Sequence, residues 1–411
     1  MSLYDFKAVV KVLIFEQKTN ENFQILNFIS TFVAKMAGLY IHIPFCASRC
    51  IYCGFYSTTR LDLRQEYVDA LCREMEMRPL TPNGLSISTI YLGGGTPSQL
   101  TPDQLRQLFI YINKVYAPTA DEITIEANPD DITIDFATVL EQLPINRVSM
   151  GTQTFDDARL RFLHRRHTAA QVPVAVQRLR NAGIHNISID LMYGFPNETF
   201  DDWQRDIDAA LALNVEHLSA YCLMVEEGTP LHNMGIEPCD EESERQMYEM
   251  LIDKLTDAGY EHYEISNFAR PGYRSRHNSS YWNDIPYIGL GAAAHSYLSV
   301  RSRIATPHSG QRSWNTADIR QYIDAINSGH LPCEHELLDP DTHYNDRIAT
   351  ALRTCDGLDL TTLSDRHRRY CMQEAQPYLN QGLLRLTDHH LVLTRQGLFV
   401  SDMMMSQLMM V

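Results

Sequence analysis

Three closely spaced cysteines are the residues of this chain most suited to chemistry. Cys46, Cys50 and Cys53 form a CxxxCxxC pattern and are three of the nine cysteines in 411 residues. Soft thiolate ligands select iron–sulfur clusters or zinc, and a cluster normally takes four protein ligands. Three ligands on one short loop therefore predict a four-iron four-sulfur (4Fe-4S) cluster with one open iron. A zinc site completed by a histidine, or three unconnected core cysteines, fits this spacing less well.

The cysteine loop directly follows a short apolar run, and similar runs recur along the chain. Between them lie helix-length amphipathic stretches, the pattern of βα units around a parallel sheet. We therefore expect an α/β fold built on a partial or full (βα) barrel of six or more parallel strands. The predicted strands are Leu39–Ile43, Thr89–Leu92, Glu122–Glu126, Arg147–Met150, Asn186–Leu191, His217–Ala220 and a shorter run near Tyr260–Ile265.

Polar residues and glycines lie where these predicted strands end. The loops at the carboxyl ends of barrel strands converge, and reacting groups gather there. Taken singly, each such residue is equally well explained as a core-edge polar group or a tight turn. Taken together, they predict one polar mouth beside the cysteine loop. The residues are Tyr40 on the first strand, Gly94, Gly95 and Thr96 after the second, Glu126 on the third, Gln153 after the fourth and Asp190 on the fifth.

Composition excludes some classes of protein. The net charge of −16 and the lack of clustered Lys and Arg argue against a nucleic-acid partner. The apolar stretches are too short or too interrupted to span a membrane. Nine cysteines without a secretory signal indicate a reducing cytosol, so we expect a cytoplasmic protein. We expect an unassigned N-terminal extension over residues 1–35, a barrel domain over 36–310 and a C-terminal α+β domain over 311–411.

The βα rhythm fades after about residue 310, and a smaller domain follows. Helical patterns over Tyr344–Arg353 and Leu363–Leu379 precede two short apolar runs, Leu383–Leu386 and Leu391–Thr394, which predict a hairpin. Helices followed by a hairpin are typical of a winged helix, a shape that can bind DNA. Because the segment lacks a strong basic run, we expect an interaction or lid domain instead.

A CxxxCxxC loop directly after a strand resembles the signature of the radical S-adenosylmethionine (SAM) superfamily, whose fold is a partial or full βα barrel. The resemblance implies that S-adenosyl-L-methionine chelates the open iron of the cluster. It also implies that one-electron reduction of the sulfonium releases methionine and a 5′-deoxyadenosyl radical, chemistry that belongs to cofactor and cluster while the protein supplies positioning.

The same resemblance implies roles for the residues at the mouth. The run Gly94-Gly95-Thr96 is similar to the family's glycine motif for the methionine end of SAM. Glu126 is then expected to pair with the cofactor's ammonium group, and Gln153 to hydrogen-bond its ribose or carboxylate. Arg165 is expected to meet the carboxylate bidentately. The other expected contacts to cofactor are Tyr40, Tyr52, Phe55 and Asp190.

The order of the motifs YIHIPFC, GGGTPS, RVSMGTQTF and DLMYGFP resembles one branch of this superfamily over roughly residues 38–400. The branch contains the oxygen-independent coproporphyrinogen III oxidases and their heme-chaperone relatives, the HemW group. The oxidases carry a further cysteine two positions after CxxxCxxC, where this chain has Phe55. This departure favours the chaperone group, and the segment 277–282, HNSSYW, is similar to the HNxxYW motif of that group.

Two histidines are candidates for a heme ligand. Histidine is a common axial ligand of heme iron and aromatic side chains pack on porphyrin faces, so His277 in the HNxxYW motif is the first candidate. The alternative is that His277 and Asn278 bond the backbone at a turn while Trp282 fills the core. His295 lies in a glycine- and alanine-rich stretch that indicates close backbone packing, and it is the second candidate.

The resemblance implies a heme chaperone that binds heme and passes it to heme proteins such as respiratory enzymes. The cluster and SAM would assist transfer or dimer assembly, and a homodimer and a transient contact with a membrane are consistent with that role. The alternative is an enzyme, an oxygen-independent coproporphyrinogen III oxidase acting by hydrogen abstraction from propionate side chains. A radical enzyme with an unrelated substrate stays open as a third interpretation.

Overall fold

The computed structural model describes residues 35–79, 85–237, 239–299 and 310–410, so the predicted extension falls outside the described residues up to position 34. Its main feature is a twelve-stranded sheet in the order β12-β11-β10-β9-β1-β2-β3-β4-β5-β6-β8-β7. The strands are β1 Lys35–Ile43, β2 Leu85–Gly94, β3 Glu122–Ala127, β4 Arg147–Gln153, β5 Asn186–Tyr193, β6 His217–Cys222, β7 Glu261–Glu264, β8 Asn267–Ala269, β9 Tyr287–Leu290, β10 His295–Ser299, β11 Gly310–Asn315 and β12 Cys333–Leu338.

The α-helices connect these strands and build the C-terminal part. No helix within the described ranges is long and apolar enough to cross a bilayer. The helices are α1 Arg64–Met77, α2 Pro102–Tyr116, α3 Ile134–Glu141, α4 Asp157–Phe162, α5 Gln171–Asn181, α6 Phe200–Ala212, α7 Pro230–Asn233, α8 Glu241–Asp257, α9 Arg276–Trp282, α10 Ile319–Asn327, α11 Pro340–Ala351, α12 Asp365–Asn380, α13 Arg395–Leu398 and α14 Ser401–Leu408.

The parallel part of the sheet is the predicted barrel. Strands β1 to β6 pair in chain order and in parallel, and β9 adds to the other side of β1, also in parallel. The pairs of β7 with β8 and of β11 with β12 are antiparallel, and β7 and β12 form the two open ends of the sheet. The fold prediction is therefore confirmed as a partial barrel. The predicted run near residues 260–265 is a strand, but an antiparallel one at the edge.

Capping residues fix where helices begin beside the mouth of the barrel. Thr101 accepts a hydrogen bond from the Gln104 amide at 3.3 Å, and the Gln104 side chain accepts one from the Thr101 amide at 2.9 Å. Pro102 occupies the first position of α2, where its missing N–H costs nothing. Thr199 and Asp202 form the same reciprocal cap at the start of α6. Both helices therefore begin close after the carboxyl ends of β2 and β5.

Alternate residues along the parallel strands face opposite sides of the sheet. One set is apolar and packs beneath the helices, as Leu39 and Ile41 do on β1. A complete barrel of this type is usually filled by branched aliphatic side chains, whereas here the inner set is polar. The barrel interior therefore offers groups for binding. The inner set includes Tyr40, His42, Tyr91, Glu126, Arg147, Ser149, Asp190, His217 and Ser219.

The C-terminal part forms a second core. Helices α11, α12 and α14 pack with a small sheet of order β13-β15-β14, at Leu358–Asp359, His390–Leu393 and Leu384–Thr387. This confirms the predicted helices followed by a hairpin. Strands β11 and β12 still belong to the first sheet, and α10 packs in the first core. We therefore propose that the division between domains lies near residue 338 rather than at 310.

Candidate cluster and cofactor site

The three cysteines lie on the loop that follows β1, at the mouth of the barrel. Backbone hydrogen bonds hold this loop, since the Cys46 amide donates to the Thr58 carbonyl at 2.9 Å and the Cys53 amide to the Cys50 carbonyl at 3.3 Å. All three thiols are partly exposed and none is in a disulfide. The structure therefore brings the predicted ligands together on one ordered, accessible loop.

The three thiols are close enough to influence one another's ionisation. Burial is the main cause that raises the pKa of the Cys46 and Cys53 thiols, and the charge of Cys50 raises both further. Thr96 Oγ1 donates to Cys46 Sγ at 3.4 Å, which favours the thiolate of Cys46. Arg165 Nη1 donates to Cys50 Sγ at 3.5 Å. Iron cations offset the repulsion among the thiolates, so these residues fit a cluster.

The arrangement of these cysteines differs from that of a mononuclear site. No group of three or more His, Cys, Asp or Glu side chains in the described part of the chain converges to hold a single metal ion. A zinc ion needs its ligand atoms within about 2.0–2.3 Å of one point. A cluster takes each thiolate on a separate iron. The cluster therefore fits this loop better than the zinc alternative.

The glycine run ties the end of β2 to the cysteine loop. Gly94 has a φ of +101°, and a Cβ there would overlap the His42 ring. A Cβ on Gly95 would lie 2.6 Å from the Pro44 carbonyl carbon. The amides of Gly95 and Thr96 donate to the carbonyl groups of residues 43 and 45 at 3.0 and 2.8 Å. Close packing against the loop thus explains the glycines, and contact with SAM stays a prediction.

Two carboxyl groups with raised pKa values face the barrel interior. Tyr91 donates to Glu126 Oε1 at 2.7 Å, and the Gly94 amide donates to Glu126 Oε2 at 3.0 Å. Burial raises the pKa of Glu126 to about 7 and that of Asp190 to about 6. An ammonium group placed beside either one would favour its ionised form. This is the electrostatic setting that the predicted role of Glu126 requires.

Arg165 links the cysteine loop to β3 and β4. Its Nη2 donates to Asn128 Oδ1 at 2.6 Å and to the Gly151 carbonyl, while Nη1 reaches the thiol of Cys50. The buried Gln153, at a φ of +69°, shares this corner, because a Cβ on Gly151 would lie 2.9 Å from Gln153 Nε2 and 3.1 Å from Arg165 Nη2. Part of the guanidinium fork is thus engaged within the protein, and the bidentate contact to SAM stays a prediction.

The three predicted aromatic contacts differ in exposure. Tyr52 packs against a small apolar cluster beneath the cysteine loop that contains Ile51 and Leu163, and burial raises the pKa of its hydroxyl. Tyr40 stacks on Tyr91 with ring centroids 6.2 Å apart. Phe55 is 71% exposed at the end of the loop, where it forms part of the wall of an open cavity.

Arg147 is a site residue that sequence reasoning missed. It is only 1% exposed at the start of β4, and its Nε and Nη1 have no hydrogen-bond partner among the described residues. Its charge lowers the pKa of both Glu126 and Asp190, so it lies near them in the interior. The available signal was its inward position on a strand whose other inward residues are polar.

A cavity of about 410 Å3 opens beside the cysteine loop. Its volume falls within the range of small-molecule sites. Of the residues predicted for cofactors, only Tyr40 and Phe55 line it. Three further tyrosines and two histidines also lie in its wall. A second cavity, of about 180 Å3, lies against the C-terminal domain and contains none of the three cysteines. The larger cavity is lined by Tyr40, His42, Gly54, Phe55, Tyr56, Tyr281, Tyr287, Ala293 and His295.

His277 lies next to this cavity but not in its wall. It is 1% exposed, and its Nδ1 is 2.9 Å from Thr89 Oγ1 and its Nε2 2.8 Å from the Tyr281 hydroxyl. Its ring stacks on Tyr91 at 5.1 Å, and burial lowers its pKa to about 3. Both ring nitrogens are hydrogen-bonded, so these contacts favour the packing role over the heme-ligand role, which stays a prediction.

Comparison with family models matches both parts of the chain. A model of the radical SAM superfamily matches residues 40–210, and a model of the HemN C-terminal domain matches residues 338–400. The first match contains all the residues predicted for the cluster and SAM. His277 lies outside both matches.

Known proteins similar to this chain include several named heme chaperone HemW. The HemW of Bacillus subtilis (strain 168) is 34% identical over 88% of this chain and 96% of its own length. The HemW of Mycobacterium tuberculosis (strain H37Rv) is 32% identical over 89% and 93%, and that of Escherichia coli (strain K12) is 34% identical over 64% and 70%.

A solved structure supports the same fold. The coproporphyrinogen III oxidase HemN from Escherichia coli, a radical SAM enzyme, superimposes with a TM-score of 0.76 over 93% of each chain at 20% identity. This likeness extends over both the partial barrel and the C-terminal domain. The sequence similarity to the HemW proteins over most of the chain and the two family models show that this chain belongs to the radical SAM superfamily and, within it, to the HemW family.

Proposed function

We propose that this chain binds heme and passes it to heme proteins, the activity that the name heme chaperone gives to its HemW relatives. The observation that carries the proposal is the aromatic cavity beside the cysteine loop, which is open, of small-molecule size and lined by two histidines and five tyrosine or phenylalanine rings. Flat aromatic walls suit a porphyrin, and a histidine suits its iron.

The family implies a 4Fe-4S cluster and SAM, and the chain has residues to hold both. When bound, they supply a one-electron centre and a sulfonium that can be cleaved by reduction. We propose that Cys46, Cys50 and Cys53 bind three of the irons. Glu126 then accepts the cofactor's ammonium group, and Arg165 holds the loop at Cys50 through its hydrogen bond to that sulfur.

A heme-transfer assay tests the proposal against the enzyme alternative. Cluster-reconstituted chain loaded with heme under anaerobic, reducing conditions is mixed with an apo heme protein, and the acceptor's heme spectrum is followed. We expect the acceptor to gain heme faster than from free heme at the same concentration. The same sample, given coproporphyrinogen III, is expected to form no protoporphyrinogen, because Phe55 stands where the oxidases carry a cysteine. Turnover of that substrate without heme transfer would refute the chaperone proposal.

The finer parts of the proposal concern partners. We propose a cytoplasmic protein whose acceptors are heme proteins such as respiratory enzymes, and which contacts a membrane only transiently while it delivers heme. We also propose a homodimer. Sedimentation of the cluster-loaded chain with and without SAM measures the oligomeric state, and flotation with anionic vesicles measures membrane association.

A further inference from the structure

The smaller cavity lies where the edge of the large sheet meets the C-terminal domain, and side chains of both line it. Helix α8 and strand β7 supply the barrel side, while β14, β15, α13 and residues 352–355 supply the other side. Its volume of about 180 Å3 is below the range of about 300–1,000 Å3 that is usual for drug-sized ligands. The space therefore suits a ligand about the size of a single amino-acid residue.

The wall of this cavity is positively charged, although the whole chain has a net charge of −16. Three arginines and a single glutamate lie in it. Burial lowers the pKa of His262 and raises the pKa of the Cys355 thiol, so neither side chain adds charge near neutral pH. The cavity therefore favours an anion. The charged side chains of the wall are those of Arg353, Arg385, Arg395 and Glu264.

The three guanidinium groups differ in what they already bind. Arg353 pairs with the buried Glu264 at 3.0 Å. Arg395 pairs with Asp253, which lies outside the wall, in an exposed ion pair that contributes little to stability and can be exchanged for a ligand. Arg385 has no carboxylate partner in the described part of the chain and donates only to a threonine hydroxyl, at 3.4 Å. Because a guanidinium has five N–H donors in a planar fork, Arg385 can bind a carboxylate bidentately.

Aliphatic side chains form much of the remaining wall. Leu352, Val392 and Leu393 are buried yet border the cavity on the side of the C-terminal domain. Ile252 borders it from the barrel side. An aliphatic group placed here leaves water, which is favourable, whereas a small hydrated anion gains nothing from these contacts. The wall therefore favours an anion that carries an aliphatic body.

From the charge, size and lining of this cavity, we infer that it binds a small carboxylic acid with a branched aliphatic body. The carboxylate bonds Arg385 and Arg395, and the body packs against Leu352 and Val392. Because the ligand contacts side chains of both domains, its binding stabilises their association. The carboxylate belongs either to a free acid or to the C-terminal residue of a peptide. The inference is independent of the heme proposal, since the two cavities share no residue.

Calorimetry and thermal unfolding of the full, cluster-reconstituted chain with 4-methylpentanoate test this inference. We expect saturable binding and a higher midpoint of unfolding, because the ligand binds the folded chain. The uncharged 4-methylpentanamide and acetate, which lacks the aliphatic body, should each bind at least tenfold more weakly. N-acetyl-leucine, which imitates a peptide C-terminus, distinguishes the two sources. Binding at least tenfold tighter than that of 4-methylpentanoate identifies a peptide C-terminus as the source, and weaker binding identifies a free acid.

Variants of Arg385 locate the carboxylate. We expect R385E to abolish binding and R385A to weaken it at least tenfold. R385K should fall between wild type and R385A, because an ammonium group keeps the charge but cannot form the bidentate contact. R368A is the matched control, since Arg368 pairs with Asp365 on the surface of the same domain and is not part of the wall, and it should bind as wild type does.

Cys355 gives a second readout, because its thiol lies in the wall of the cavity and is exposed. Saturating 4-methylpentanoate should slow the alkylation of Cys355 by iodoacetamide at least threefold in wild type. It should leave the rate unchanged in R385E. Mass spectrometry of the peptide that contains Cys355 measures this rate separately from those of the other cysteines.

Three results would overturn the inference. The first is the absence of saturable binding by either carboxylate. The second is equal affinity for 4-methylpentanoate and its amide, which would mean that the arginines do not recognise the charge. The third is wild-type affinity in R385E, which would place the carboxylate elsewhere.

Discussion

Gly94, the last residue of β2, packs against His42 near the start of the cysteine loop, and no larger residue fits there. Its φ of +101° is strained for any side chain, and a Cβ would overlap the His42 ring. We expect G94A to lower the free energy of unfolding by about 3 kcal/mol, from backbone strain plus overpacking. Urea unfolding of the cluster-free chain measures this.

G183A is the control for backbone strain alone. Gly183 has a φ of +80°, and a Cβ there would meet nothing within 4 Å. It should cost about 1 kcal/mol. Equal losses in both variants would mean that the contact with His42 has no effect on stability.

The pKa of Glu126 predicts a pH dependence of SAM binding. Burial raises this pKa from 4.5 to about 7, so the carboxyl group is protonated over much of the range from pH 5 to 7. A bound ammonium group favours the carboxylate, and binding therefore releases a proton. We expect the affinity of the cluster-loaded chain for SAM to rise between pH 5.5 and 7, as measured by calorimetry.

Two variants check the assignment to Glu126. E126Q should bind SAM more weakly and lose the pH dependence, whereas E141Q, which changes an exposed glutamate, should keep both affinity and slope. The same raised pKa means that ionising Glu126 destabilises the folded chain progressively as pH rises through the window from about 4.5 to 7. A pH slope that persists in E126Q would assign the proton to another group.

The site was only partly predictable from residue types and spacing. The CxxxCxxC loop and Glu126 could be predicted, because recognising a position at or after the end of a strand requires only the neighbouring sequence. His277 was the leading heme candidate because it lies in a motif, yet its burial and its two hydrogen bonds depend on residues far away in sequence, such as Thr89. His295 was the second candidate from its glycine- and alanine-rich stretch, but its position in the wall of the larger cavity depends on the fold.

At the scale of elements, a side chain of helix α1 holds the turn at residues 291–294 in place. Glu74 on α1 accepts hydrogen bonds from the turn, from Asn315 and from Tyr322, and pairs with Arg78 at 3.2 Å. We expect E74A to cost about 3 kcal/mol of stability, since it leaves several buried donors unpaired. We also expect it to weaken heme binding, because Ala293 and His295 of the cavity wall would be held less firmly.

The same helix provides the control for that variant. Glu76 pairs with Lys114 at 2.7 Å in an ion pair exposed on both sides. E76A should therefore change thermal stability by less than about 1 kcal/mol and leave the Soret titration untouched. If E74A destabilises the chain but binds heme with wild-type affinity, the turn does not position the wall of a heme-binding cavity.

The elements themselves were predictable to different degrees. The strands from β1 to β6 stand out because short runs with apolar residues at alternate positions recur between helix-length amphipathic stretches. Strands β11 and β12, with the sequences GQRSWN and CEHELL, carry polar residues at partly buried and exposed positions and have no such signal. Their place in the first sheet depends on antiparallel pairing at its edge, which is why the predicted boundary at 310 differs from the division that we propose near 338.

At the scale of the whole molecule, Arg353 joins the C-terminal domain to the barrel. Its side chain bonds Glu264 on β7 at 3.0 Å, and its backbone carbonyl accepts from the Ile265 amide at 3.1 Å. Its guanidinium also lies 5.4 Å from the Trp282 ring on α9. Because Glu264 is buried, R353A leaves a carboxylate without its cation. We expect a loss of about 2 kcal/mol, measured by thermal unfolding.

R366A is the comparison for this joint. Arg366 pairs with Asp341 within the C-terminal domain, on the surface, so its loss should change stability by less than about 1 kcal/mol. A similar small effect in R353A would show that the two cores are held together by other contacts.

The central claim is that the whole chain offers one heme site at the mouth of the barrel, beside the cluster. An anaerobic titration of the cluster-reconstituted chain with heme, followed through the Soret band, tests it most directly. The account predicts saturable binding of one heme per chain, with micromolar or tighter affinity, about −8 kcal/mol or more favourable. Absorbance that rises without saturation, as for heme adsorbed to a surface, would contradict it.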